Sequence, residues 1–178
     1  MPEFHQARAY LGRAPALAEK IAMSLCIRKE TVAAAESCTA GLASDFIARV
    51  PGVSKIFWGS YVAYTIEAKM AMLGIAEELI REHGAVSRPV ALAMAEGALE
   101  KSGASWAFSI TGLAGPDGDG KNPIGTVWIG LAGRKGPGSL QSKAKLFHFC
   151  GGRNELREAA AAAAFEELLA MIESEKII

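Results

Sequence analysis

The sequence has no surplus of charge of either sign: its 178 residues hold 19 Lys and Arg against 19 Asp and Glu. A dedicated nucleic-acid binder neutralises phosphates with excess cations, so the balance argues against that class. No apolar run is long enough to span a bilayer. The start, Met1-Pro2-Glu3-Phe4-His5, lacks the basic stretch leading into an apolar one that a secretory signal would carry. Cysteine is scarce. Cys26, Cys38 and Cys150 are odd in number, scattered, and form no Cys-x-x-Cys, which suits reduced thiols in a cytoplasm better than a disulfide framework. Three isolated histidines, His5, His83 and His148, offer no metal-ligand spacing.

What is present is apolar: 51% of residues are hydrophobic and 21% charged, a balance that folds rather than remaining disordered. The length suits one core. We expect an N-terminal arm over 1–14 and a single domain over 15–178. Leu17, Ile21 and Leu25 recur at helical spacing behind Pro15. Thr31 to Ala35 reads as a buried strand, and Gly41 to Val50 as a helix stopped by Pro51-Gly52. A strand over Ile56 to Tyr64 follows, then short helices over Glu67 to Leu73 and Ala76 to His83. Ser87 caps a helix reaching about Lys101, with Pro89 in its first turn. Strands are expected over Trp106 to Thr111, Thr126 to Leu131 and Gln141 to Phe149, with a turn over Arg134 to Ser139. Asn154 to Ile172 closes the chain as a long helix around six consecutive alanines. Strands alternate with helices early and follow one another later, which predicts a three-layer α/β/α sandwich with a mixed central sheet.

Four segments carry polar groups where chemistry could sit. In Ala35-Glu36-Ser37-Cys38-Thr39-Ala40-Gly41 a strand ends and a helix begins, so unpaired N–H groups could hold an oxyanion beside a Ser or Cys nucleophile. Ser37 and Thr39 equally suit a cap, and Cys38 a buried structural thiol. Tyr64-Thr65-Ile66-Glu67-Ala68-Lys69 lies at a strand end, where Lys69 could be a general base or simply a surface cation. Thr111-Gly112-Leu113-Ala114-Gly115-Pro116-Asp117-Gly118 is a glycine-rich loop that lacks the phosphate-binding Gly-Lys-Ser/Thr. Gly151-Gly152-Arg153-Asn154-Glu155-Leu156-Arg157 puts two arginines at a helix start, against the macrodipole, a conflict that a bound phosphate would relieve.

These segments, with Gly84-Ala85-Val86-Ser87 and Pro123-Ile124-Gly125-Thr126-Val127-Trp128, resemble the C-terminal domain of the competence/damage-inducible protein CinA. They also resemble its stand-alone relatives, the nicotinamide-nucleotide amidohydrolases. The likeness runs over about residues 15–172. It implies deamidation of nicotinamide mononucleotide (NMN) to nicotinic acid mononucleotide and ammonia, with no metal or cofactor. Carried over by position, Ser37 would be the nucleophile, Lys69 its base, and Tyr64 an aid to that proton transfer. Cys38 and Thr39 would supply backbone donors, Thr111, Gly112 and Gly115 would line the amide site, and Arg153 would hold the phosphate. The chain departs from the family where Ile66 replaces a usual Asn, where Ala40-Gly41 replaces Gly-Gly, and where Lys121-Asn122-Pro123 has an extra residue. A second reading is a non-catalytic module that binds a pyridine nucleotide or a competence- or damage-related partner. A third is an amidase for another amide. No nucleic acid or membrane partner is expected. The alanine face of the last helix and the apolar strand edges are compatible with a homo-oligomer.

Overall fold

In the computed structural model, residues 4–134 and 139–175 are described. The strands are β1 (Phe4–Gln6), β2 (Val32–Glu36), β3 (Phe57–Val62), β4 (Trp106–Gly112), β5 (Thr126–Arg134) and β6 (Leu140–Cys150). The helices are α1 (Ala14–Arg28), α2 (Leu42–Ala48), α3 (Ile66–Leu73), α4 (Glu77–His83), α5 (Arg88–Ser102) and α6 (Arg153–Ser174). One six-stranded sheet runs in the order β1-β6-β5-β4-β2-β3. Strand β2 pairs in parallel with β3 and β4, while β4, β5 and β6 pair antiparallel in sequence. The mixed sheet and its two helical layers are those the sequence predicts. The expected turn after Arg134 lies largely outside the described residues.

The two faces of β2 explain the layers. Val32 and Ala34 pack with α1, α2 and α6, whereas Ala33 and Ala35 pack with α4 and α5. A strand buried on both faces reads as a continuous apolar run rather than an alternating one. All six alanines of Ala159–Ala164 are fully buried, because short side chains let α6 lie close to α1, α2 and the sheet. That face is internal, so it does not support the self-association suggested for it above.

The described part of the expected arm, residues 4–14, packs onto the domain rather than standing apart from it. Phe4–Gln6 add a parallel edge strand against His148–Cys150, and Ala7 is wholly buried in the core. Three residues are too few to show a periodicity, so only the paired neighbour reveals the strand.

Helix ends follow the capping logic. Ser87 Oγ accepts from Val90 N–H at 3.4 Å, and Thr65 Oγ1 from Ala68 N–H at 3.1 Å. The segments after β2, β3 and β4 meet at one end of the sheet, the carboxyl end of its parallel strands, where open α/β sheets bind ligands.

Candidate active site

A cleft of about 240 Å³ opens at this end. Ser37 and Cys38 from the β2–α2 turn form its floor together with Lys69, and the β3–α3 junction contributes Tyr64 and Ile66. Thr111, Gly112 and Gly115 enter from β4 and the loop after it, and Arg153 from the start of α6. All four segments singled out in the sequence therefore contribute residues to one cavity.

Lys69 is the central feature. It sits on α3 with 2% of its surface exposed. Its Nζ donates to Ser37 Oγ at 2.8 Å and to the Ala63 carbonyl at 2.9 Å, with the Tyr64 carbonyl at 3.5 Å. Burial disfavours the ammonium and pulls its pKa from 10.5 down to about 8, partly opposed by the Cys38 thiol. Among the described residues Lys69 has no carboxylate in ion-pair range. A lysine poised to lose its proton thus touches the hydroxyl of a buried serine.

Cys38 stands beside Ser37 in the same turn. Burial pushes its thiol up to about 12, so thiolate is scarce near neutrality. No histidine lines the cleft.

The other expected residues meet the cleft in different ways. The Tyr64 side chain is 53% exposed and its hydroxyl accepts from Arg153 Nη2 at 3.2 Å. Tyr64 reaches Ser37 and Lys69 through its backbone carbonyl instead. Thr39 is completely buried, lies off the cleft, and its Oγ1 has no hydrogen-bond partner among the described residues. Its side chain is not in position to meet a ligand, which leaves only its backbone. Thr111 lines the cavity with its hydroxyl donating to the Ala85 carbonyl at 2.9 Å. Gly112 lines the cleft, yet its lack of a side chain serves the sheet: a Cβ would collide with the Thr126 carbonyl and Val127. Arg153 is held at the rim by Tyr64 and by the Gly115 carbonyl. The two arginines of α6 do not share an anion. Arg157 turns away to the carbonyls of Cys38 and Thr39, at 3.2 and 2.8 Å.

Sequence reasoning assigned no role to Glu36. Its carboxylate is fully buried and accepts from the N–H groups of Gly41, Ala43 and Ser44 at 2.9, 3.1 and 2.9 Å, and from Ser44 Oγ at 2.5 Å. It caps α2 from the strand below, because the N-cap position holds Gly41, which has no side chain. A carboxylate closing an otherwise apolar strand just before a helix is the signal that could have revealed it.

Ile66 opens α3 and is 44% exposed on the cleft wall. It offers apolar contact where an Asn would offer hydrogen bonds.

The family model for the CinA C-terminal domain matches residues 14–172. A nicotinamide-nucleotide amidohydrolase, PncC, of Escherichia coli K12 is 41% identical over 153 residues, covering 85% of this chain and 90% of its own. A competence-damage inducible protein of Symbiobacterium thermophilum is 47% identical over 150 residues, 82% of this chain, and this chain spans only 35% of that longer protein. Among solved structures, the competence/damage inducible protein CihA of Agrobacterium tumefaciens superposes with a TM-score of 0.83 at 35% identity. That match covers 96% of this chain and 99% of the other. A CinA superfamily protein of Escherichia coli superposes with a TM-score of 0.83 at 30% identity, over 89% and 90% of the two chains.

Proposed function

The chain belongs to the CinA C-terminal domain family, and from that premise we propose that it hydrolyses the carboxamide of NMN to nicotinic acid mononucleotide and ammonia, with Ser37 as nucleophile and Lys69 as base. The observation that carries this reading is the 2.8 Å contact between Lys69 Nζ and Ser37 Oγ, made by a buried lysine whose pKa is drawn to about 8. A relative 41% identical over most of both chains and named for this activity supports the substrate.

In this scheme neutral Lys69 takes the Ser37 proton while Oγ bonds to the carboxamide carbon. The carbonyl oxygen becomes an oxyanion beside the N–H groups of the turn after Ser37. The Lys69 ammonium returns the proton to the departing nitrogen, the C–N bond breaks, and ammonia leaves. Water, deprotonated by Lys69, then attacks the Ser37 ester; the acyl C–Oγ bond breaks, Lys69 returns the proton to Oγ, and the carboxylic acid product leaves as its carboxylate. The Arg153 guanidinium at the rim offers its remaining N–H groups to the nucleotide phosphate. Tyr64 steadies Arg153 through its hydroxyl, and Ile66 gives the pyridine ring an apolar wall.

The test is ammonia release from NMN, without added metal or ATP, by wild type and Ser37→Ala, with nicotinamide as a phosphate-free comparison. Release from NMN that falls at least about 1,000-fold in the variant is expected, as is poor use of nicotinamide. Absence of release by folded wild type that still binds NMN would favour the non-catalytic module instead.

A further inference from the structure

Among the described residues, Arg157 is a cation beside the cleft that the proposed mechanism leaves without a role. It does not line the cavity. Its Nε donates to the Cys38 carbonyl at 3.2 Å, its Nη2 to the Thr39 carbonyl at 2.8 Å, and its Nη1 meets Asn154 Oδ1 at 3.3 Å. One guanidinium therefore clamps two successive carbonyls of the turn that follows Ser37.

A trans peptide is planar, and its carbonyl and N–H point to opposite sides. The Thr39 carbonyl faces Arg157, so the Ala40 N–H faces the other way, where it donates to the Ser37 carbonyl at 3.0 Å. The Cys38 carbonyl also faces Arg157, so the Thr39 N–H is turned away from the guanidinium. Among the described residues that N–H donates to no acceptor, whereas the Cys38 N–H meets its own thiol sulfur. Neighbouring donors are spent: Ser37 N–H on the Ile110 carbonyl, and Gly41, Ala43 and Ser44 N–H on Glu36. One unspent amide, that of Thr39, thus lies two residues after the serine that meets Lys69.

We infer that Arg157 is a positioning residue: by holding the Cys38 and Thr39 carbonyls it fixes the turn after Ser37 and aims the Thr39 N–H at the oxyanion formed when Ser37 adds to a carboxamide. The inference rests on the amidase reading. The planar fork of an arginine can hold two carbonyls at once, which a lysine ammonium does poorly. Donors that act on the oxyanion strengthen in the transition state, so their misalignment lowers kcat rather than raising KM.

The experiment compares wild type with Arg157→Gln, Arg157→Lys and Arg153→Gln in two assays: ammonia release from NMN, and the burst of nitrophenol as p-nitrophenyl acetate acylates Ser37. Arg157→Gln should lose about 100-fold in kcat with KM within about threefold, and Arg157→Lys should recover part of the loss. Arg153→Gln should show the opposite split, a raised KM. If Arg157→Gln does not fold, Arg157→Lys carries the test alone with a smaller loss of the same kind. Wild-type kcat in both Arg157 variants, or a loss confined to KM, would overturn the inference. If wild type releases no ammonia from NMN, the substrate reading fails, and the ester burst decides separately: a burst slowed in the Arg157 variants keeps the role, and an unchanged burst ends it. A wild type inert to both reagents removes oxyanion chemistry from this turn, and the role with it.

Discussion

Single residues around the β2–α2 turn carry measurable strain. Ala40 has φ of +50°, in the left-handed region, and is exposed. It precedes the helix rather than sitting within it, so the ordinary tolerance of helices for alanine does not apply. Left-handed backbone costs an L-residue about 1–2 kcal/mol, and glycine returns part of that gain through a freer unfolded chain. Ala40→Gly should therefore stabilise the fold by about 0.5–1 kcal/mol, read from urea denaturation midpoints. Thr39 shows a different cost. Its buried hydroxyl lacks a partner, so the near-isosteric Thr39→Val should raise stability by about 1 kcal/mol. A loss of stability on that change would mean that the hydroxyl makes a hydrogen bond after all.

At the scale of elements, Glu36 joins β2, whose last residue it is, to the helix that follows. Glu36→Gln replaces one acceptor oxygen by an NH2 group that faces the N–H donors of α2. The change should cost about 2–4 kcal/mol in thermal or urea unfolding, and ammonia release should fall with it as the turn loses its anchor. The same elements show what could be read from the chain. The long helices α1, α5 and α6 were legible because apolar spacing, Pro15, Pro89 and the Ser87 cap all agree locally. The arm over 1–14 was not, because β1 exists only through its pairing with β6. In the site, Ser37, Lys69, Thr111 and Arg153 were legible as members of a family pattern, and the cleft brings them together. The roles of Glu36 and Arg157 were hidden. They depend on which backbone groups lie within reach across gaps of 5 to 8 and 118 to 119 residues, which no local spacing encodes.

For the whole molecule, the buried Lys69 ties stability to pH. Its folded-state pKa is lowered from 10.5 to about 8. Between those values the unfolded chain holds a proton that the folded chain has released. Stability contributed through this residue is therefore lowest below about pH 8 and rises towards about pH 10.5, by up to about 3 kcal/mol. Comparing urea unfolding of wild type and Lys69→Met across that window should show the rise in wild type only. Lys69→Met should be no less stable at pH 7, because a methionine needs no hydration in that position. Activity has the same sign: kcat/KM for NMN should climb as Lys69 loses its proton near pH 8. A fold that keeps an uncompensated lysine in its interior accepts this cost at the cleft and recovers it through the two apolar layers around the sheet.

The central claim is that Ser37, rather than the adjacent Cys38, forms the bond to the substrate carbon. The most direct measurement is acid quenching during turnover of NMN, followed by peptide mass spectrometry of the segment containing both residues. The account predicts an acyl ester on Ser37 of the wild type and none in Ser37→Ala. A thioester on Cys38, or ammonia release undiminished in Ser37→Ala, would contradict it.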